Sequence, residues 1–170
     1  MAITLRDYTD ADLHALAALA ADTFCETFGY LYTHADLQSH LMAKCSAEYF
    51  AKAVAEPHAR IVLAWDNDEA VGYVHWGVLA LPVQDAPDAN AREIYRLYVR
   101  ASHQSAGVGK RLFEHALAAC ADAPEVYLGV WEHNEKAQRF YARYGFTHAG
   151  EHTYLVGTHA DRDLIWCRQR

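Results

Sequence analysis

Apolar residues repeat along this chain at two periods, and the switches between them mark out its elements. Ile3-Thr4-Leu5-Arg6 alternates and reads as a short first strand. Thr9-Asp10 then caps a helix with Leu13, Leu16, Ala17 and Ala20 on one face. The aromatic-rich segment Thr23 to Tyr32 ends that helix near Gly29. Thr33 caps a second helix beginning Ala35-Asp36-Leu37. Ser46 caps a third through Tyr49, Phe50 and Val54, and Pro57 breaks the pattern. Arg60 to Trp65 and Ala70 to Val78 read as a hairpin across the polar turn Asp66 to Glu69, with Gly72 and Gly77 as bulge points. Leu81 to Asn90, with Pro82 and Pro87, is a loop, and Arg92 to Arg100 is the next strand.

Beyond it the helical period returns, with Val108, Leu112, Ala116, Leu117 and Cys120 on one face. Val126 to Val130 is a strand, Asn134 to Tyr144 a helix, and Phe146 to Val156 with Asp163 to Cys167 a closing hairpin. No repeat, low-complexity segment or linker interrupts this order. It predicts an α/β (α+β) fold, a mixed central sheet of about six or seven strands with helices on both faces.

Composition narrows the picture. The 170 residues fit one domain, 1–170, with a single core. No apolar run approaches the roughly 20 residues that span a bilayer. Asp7, Asp10 and Asp12 come too early for a signal segment, so a cytoplasmic location is the default. The cysteines at 25, 45, 120 and 167 are scattered and read as reduced, buried small residues. Eleven histidines form no metal-binding pattern, so no metal is expected. A formal net charge of −7 argues against nucleic acid as the partner, because phosphate contacts need clustered Lys and Arg.

The stretch with chemical content is Gln104-Ser105-Ala106-Gly107-Val108-Gly109-Lys110, between the strand ending at Val99 and the helix that follows. Gly107 and Gly109 remove two Cβ atoms where the backbone enters the first turn, so a ligand can come close to the main chain. The unpaired N–H groups of a helix start favour a phosphate, and Lys110 adds a full charge. Neither a dinucleotide fingerprint nor a P-loop is present, since Arg111 and Leu112 follow Lys110.

Gln-x-x-Gly-x-Gly placed between a strand and a helix resembles the acetyl-CoA pyrophosphate motif of the GNAT family of N-acetyltransferases. Asn134-x-x-Ala137-x-x-Phe140-Tyr141-x-x-x-Gly145-Phe146 matches that family's downstream motif in order and distance. The resemblance extends over nearly the whole chain. It implies direct transfer of an acetyl group from acetyl-CoA to an amine. It places Gln104, Ser105, Ala106, Gly107, Val108, Gly109 and Lys110 on the pyrophosphate, with Asn134 and Lys136 on the coenzyme. Backbone groups of Leu97, Tyr98 and Val99 would meet the pantetheine arm where their strand splays from its neighbour.

The resemblance makes Tyr141 the proton donor to the coenzyme thiolate; a purely structural hydrogen bond is its other reading. Glu93 lies eleven residues before Gln104, as the base does in one branch of the family. It reads equally as a strand-end carboxylate paired with Arg92 or Arg96.

For the amine, the chain is most similar to the bacterial spermidine/spermine subgroup. The likeness lies in Thr27 to Tyr32, Trp131 to Ala137, Gly150-Glu151-His152 and Asp163-Leu164-Ile165. A polyamine pocket needs carboxylates, for which Glu26, Glu132 and Glu151 are candidates. Phe28 and Tyr32 would line it or simply pack on the sheet. The chain departs from the subgroup at Gly157-Thr158-His159, where acidic residues are expected. An amino-acid or peptide amine is the second acceptor reading, and a non-catalytic acetyl-CoA sensor is a reading of another class. The expected partner is thus a small-molecule amine, with neither nucleic acid nor membrane, and a homodimer stays open.

Overall fold

The computed structural model describes residues 3–84 and 87–170. Two residues of the expected loop, 85 and 86, lie outside the described residues. Seven strands form one sheet: β1 (Ile3–Asp7), β2 (Arg60–Asp66), β3 (Glu69–Val78), β4 (Arg92–Val99), β5 (Glu125–Trp131), β6 (Thr147–Val156) and β7 (His159–Gln169). They lie in the order β1-β2-β3-β4-β5-β7-β6, and every neighbouring pair is antiparallel except β4 with β5.

Among the described residues five α-helices cover the sheet: α1 (Leu13–Phe28), α2 (His34–Lys44), α3 (Ala47–Ala53), α4 (Val108–Ala119) and α5 (Glu135–Ala142). Their starts are set by side chains that satisfy orphan N–H groups. Thr33 Oγ1 accepts from the N–H of Asp36 at 3.2 Å, and Ser46 Oγ from that of Tyr49 at 3.2 Å. Before α1, the buried Asp12 takes both the N–H and the hydroxyl of Thr9, at 2.9 and 2.8 Å, and pairs with Arg6 at 2.8 Å.

Strand alternation divides the core between two faces. Ile61, Leu63, Trp65 and Tyr73 pack with Leu16, Leu19, Phe24 and Phe50 under α1, α2 and α3. Val62, Ala64, Val74, Ile94, Val126, Leu128 and Val130 pack with Leu112, Phe113 and Ala116 under α4, and with partly buried Phe140 and Tyr141 of α5. Helices therefore lie on both faces, as the element order predicts.

Two irregularities shape β3 and β4, and only one lies where a glycine suggested it. Trp65 faces Ala70 while Ala64 faces Gly72, so Val71 is an extra residue beside Gly72. The second is in β4: Trp76 faces Ile94 and His75 faces Arg96, which leaves Tyr95 bulged. Gly77 is the room for that bulge, because a Cβ there would lie 2.7 Å from Tyr95 Oη. The closing hairpin is longer than expected, since β7 begins at His159 rather than Asp163. Its turn, Gly157-Thr158, docks on α2. Asp36 Oδ1 accepts from the N–H of Thr158 at 2.7 Å and its hydroxyl at 2.9 Å.

Candidate active site

The parallel pairing of β4 with β5 lasts only from Arg92 to Ile94 against Val126 to Leu128. Past that point β4 runs on to Val99 and β5 to Trp131 without pairing, so one edge of β4 is open. A cleft of about 530 Å³ occupies the gap. It is lined by groups from both faces of the sheet, including Tyr141 from the α5 side and Phe28, Tyr32 and Tyr154 from the α1 side.

At one end of the cleft the β4–α4 loop forms a cradle. Ser105 (φ 67°) and Gly107 (φ 80°) sit in the left-handed region, which turns consecutive N–H groups toward a common point. Among the described residues, no backbone acceptor meets the N–H groups of residues 105–110. A Cβ at Gly107 would meet nothing within 4 Å, so the space above it is free for a ligand. Gln104 braces the cradle: its Nε2 donates to Val99 O and its Oε1 accepts from Lys136 Nζ, both at 3.3 Å. Unpartnered amides at the start of a twelve-residue helix suit a phosphate group. The residues present therefore fit a pyrophosphate.

Asn134 caps α5 by accepting the N–H of Ala137 at 3.1 Å. About two turns later Tyr141 packs against Phe113, with centroids 5.2 Å apart. Burial pushes its hydroxyl up to about 12, so it stays a proton donor throughout the neutral range. Among the described residues this hydroxyl has no hydrogen-bond partner.

The other end of the cleft is aromatic and acidic. Phe28 meets Trp131 and Tyr98 edge-on, at 6.0 and 6.4 Å. Tyr32 Oη donates to Asp161 Oδ2 at 2.6 Å. Asp163, two residues along β7, shares that face and lies beside Gly129, where a Cβ would be 3.7 Å from its Oδ2. Burial, and then the neighbouring Asp161 charge, raise its pKa to about 6. Among the described residues no group donates to Asp163 or pairs with it. A carboxylate so poised can take a proton at neutral pH.

Most of the expected site residues come together here. Leu97, Tyr98, Val99, Gln104, Ser105, Gly107, Gly109, Lys110, Asn134, Lys136, Tyr141, Phe28 and Tyr32 all line the cleft. Ala106 does not; it is exposed on the loop. The Val108 side chain is in the core, leaving only its backbone at the cradle.

The expected carboxylates lie elsewhere. Glu93 is buried outside the cleft lining, where its Oε2 accepts from the N–H groups of Ala80 and Leu81 at 2.8 and 2.9 Å. Its pKa is raised by burial, against the pull of those two bonds, but the carboxylate is tied to a loop. Glu26 accepts the N–H of Ala101 at 2.8 Å. Glu132, in the turn after β5, and Glu151 of β6 both pair with Arg162 of β7. Asp161, Asp163, Tyr154 and Arg96 occupy the cleft instead. The signal for the first two was the spacing of Asp161 and Asp163 within one strand, which puts both on one face. Among the described residues there is no cluster fit to hold a metal ion, and no helix is long and apolar enough to cross a membrane.

The profile of the "Acetyltransferase (GNAT) family" matches residues 15–146. An "uncharacterized N-acetyltransferase" of Lactobacillus delbrueckii subsp. lactis is 33% identical over 163 residues, covering 92% of this chain and 91% of that protein. Another, of Mycobacterium tuberculosis, is 32% identical over 163 residues, covering 95% and 98%. Among solved structures, a PaiA N-acetyltransferase from Thermoplasma acidophilum in complex with coenzyme A superposes with a TM-score of 0.77 at 20% identity, over all of both chains. A ribosomal-protein-S18-alanine N-acetyltransferase from Escherichia coli superposes with a TM-score of 0.72 at 15% identity, over 99% and 94%.

Proposed function

The chain belongs to the acetyltransferase (GNAT) family, and on that premise we propose that Asp163 and Tyr141 carry an acetyl transfer to a small primary amine held in this cleft. The family makes the chain an N-acetyltransferase, with acetyl-CoA as the acyl donor. One observation carries the finer reading: the gap between β4 and β5 opens a single cleft to the cradle, to Tyr141 and to Asp163.

In this reading the residues 104–110 hold the pyrophosphate. Asn134 and the open edge of Leu97, Tyr98 and Val99 guide the pantetheine arm into the gap. Acetyl-CoA supplies the thioester, and N–H groups on that edge face its carbonyl oxygen. The ammonium of the acceptor gives a proton to Asp163, which frees its lone pair. The new N–C bond forms as the C–S bond breaks, Tyr141 protonates the departing thiolate, and the second proton shed by the acetylated nitrogen passes through solvent to restore the Tyr141 hydroxyl.

A polyamine acceptor draws support from the acidic chain and from Asp161, Asp163 and the aromatic wall. It is weakened because Glu26, Glu132 and Glu151 lie outside the cleft while Arg96 lies inside it. An amino-acid or peptide amine is therefore the second reading, favoured by that arginine. Release of free thiol from acetyl-CoA, measured with polyamines, amino acids and short peptides separately, tests the proposal. Turnover with any of these amines supports the transfer. Binding of acetyl-CoA with silence across all of them would overturn it in favour of a coenzyme sensor.

A further inference from the structure

Resting on the amine-acetylation reading above, we propose that Arg96 binds a carboxylate of the acceptor, so that the substrate is an amine carrying its own carboxylate. Arg96 follows the bulged Tyr95 on β4 and lines the cleft on its α1 face. Its guanidinium lies over the Tyr49 ring at 4.8 Å and the Phe50 ring at 5.5 Å. Among the described residues its guanidinium makes a weak contact from Nη1 to Cys45 Sγ at 3.9 Å and lies within reach of the buried, neutral Tyr73 hydroxyl. Among the described residues no carboxylate pairs with it.

The groups around it supply no countercharge. Burial pushes the Tyr73, Tyr98 and Tyr154 hydroxyls up, and the Cys45 thiol as well, so all are neutral. Burial, with the arginine's own field behind it, takes His40 down to about 4 and His75 to about 3. Tyr95 is occupied, its hydroxyl donating to Val78 O. A guanidinium cannot shed its charge, and a partly buried one without a partner is unfavourable until an anion arrives. Its planar fork fits a carboxylate through two parallel N–H···O bonds.

The β7 side of the cleft has the opposite sign. Asp161 and Asp163 face the same cleft, and Tyr154 lies between, within the field of both Arg96 and Asp163. A cleft with a cation at one side and the proton-accepting carboxylate at the other matches a zwitterion. The ammonium goes to Asp163 and the carboxylate to Arg96. A polyamine has no group for Arg96 and would be repelled by it.

Matched substrates isolate this contact: free amino acids against their carboxamides, with spermidine and an aminoalkyl phosphate as further arms. Thiol release should favour each acid over its amide by about tenfold or more in kcat/KM, the scale of a charge-assisted pair. In Arg96→Gln that preference should vanish while the KM for acetyl-CoA holds. Arg96→Lys keeps a cation over the aromatic rings and should retain part of the preference. Melting and coenzyme binding verify that both variants fold. Equal use of acid and amide would overturn the proposal, as would spermidine or the phosphate being preferred, or a preference surviving in Arg96→Gln. If no amine turns over, calorimetry on the protein loaded with coenzyme A still decides. Heat with the acid and not with the amide keeps the carboxylate site although the transfer reading fails, and no heat with either removes it.

Discussion

The two ends of the cleft are made in different ways. The cradle end is backbone: the N–H groups of residues 105–110, the left-handed Ser105 and Gly107, and the open edge of β4. It comes from one continuous stretch of chain. The acceptor end is side chains, with Tyr32 from the segment between α1 and α2, Arg96 from β4, Tyr154 from β6 and Asp161 and Asp163 from β7. Backbone bound to a common cosubstrate leaves little freedom in which residues serve, whereas side chains gathered from afar can be exchanged one at a time. On the proposed assignment, recognition of the donor is built into the fold and recognition of the acceptor is laid over it.

That comparison breaks first at Asp163. Asp163→Asn should lower kcat by roughly a thousandfold, in the middle of the range for general-base removal. The KM for acetyl-CoA should hold. With its pKa near 6, Asp163 is ionised at neutral pH and protonated as pH falls. In the parent, kcat/KM for the amine should therefore drop about tenfold per unit below pH 6. In Asp163→Asn this limb should be absent. A limb near 6 that persists in the variant would assign the base elsewhere.

Tyr141 stands where the two ends meet. Tyr141→Phe keeps the ring packing on Phe113 and removes only the hydroxyl. We expect kcat to fall by about a hundredfold, the low end for loss of a general acid, with coenzyme binding nearly unchanged. Steady-state kinetics with coenzyme titration separates the two effects, and an unaltered kcat would leave the thiolate without its donor.

This division also explains what could be read from the residues alone. Gln104, Gly107 and Gly109 were legible as a strand-to-helix loop open to a ligand because they sit at short spacings, and Asn134 and Tyr141 were singled out by the resemblance of their motif to a family pattern. The order of the elements and the two-faced core were legible from hydrophobic period. The acceptor end was not, because Arg96 and Asp163 are 67 positions apart and meet only through the register of β4, β5 and β7. Glu93 was left between two readings for a related reason. Its distance from Gln104 is similar to that of the base in one branch of the family, but spacing along a strand does not say where a carboxylate goes, and the N–H groups of Ala80 and Leu81 hold this one. Within Gly157-Thr158-His159, a departure from the polyamine pattern, Gly157-Thr158 is a docking turn whose Thr158 donors go to Asp36, and His159 Nε2 lies 3.3 Å from Asp161 Oδ1.

Gly107→Ala sharpens the comparison at the cradle. The added methyl meets no protein atom, so its folding cost is the left-handed backbone alone, about 1 kcal/mol. The same methyl projects into the space assigned to the pyrophosphate. The KM for acetyl-CoA should rise roughly tenfold, the order of one lost charge-assisted hydrogen bond, while the ranking of acceptors stays as it was. Altered acceptor ranking would mean that the two ends are not separable.

The smallest effect is expected at the rim. Glu132 Oε2 meets Arg162 Nη1 at 3.0 Å, and Glu151 holds the same arginine from the next strand. Solvent screens such pairs, and neither glutamate lines the cleft. Glu132→Gln should therefore leave kcat/KM for every amine within about twofold of the parent, since one screened charge outside the site contributes little. The double change Glu132→Gln with Glu151→Gln is the stronger trial, because it leaves Arg162, which strand alternation turns to the sheet face opposite Asp161 and Asp163, without a carboxylate partner. Only the longer-range field of that freed cation would hinder a polyamine more than a zwitterion. A selective tenfold loss with spermidine would extend the acceptor site outward to this ion pair and restore weight to the polyamine reading. Parallel small changes on all substrates would confine acceptor recognition to Arg96, Asp161 and Asp163.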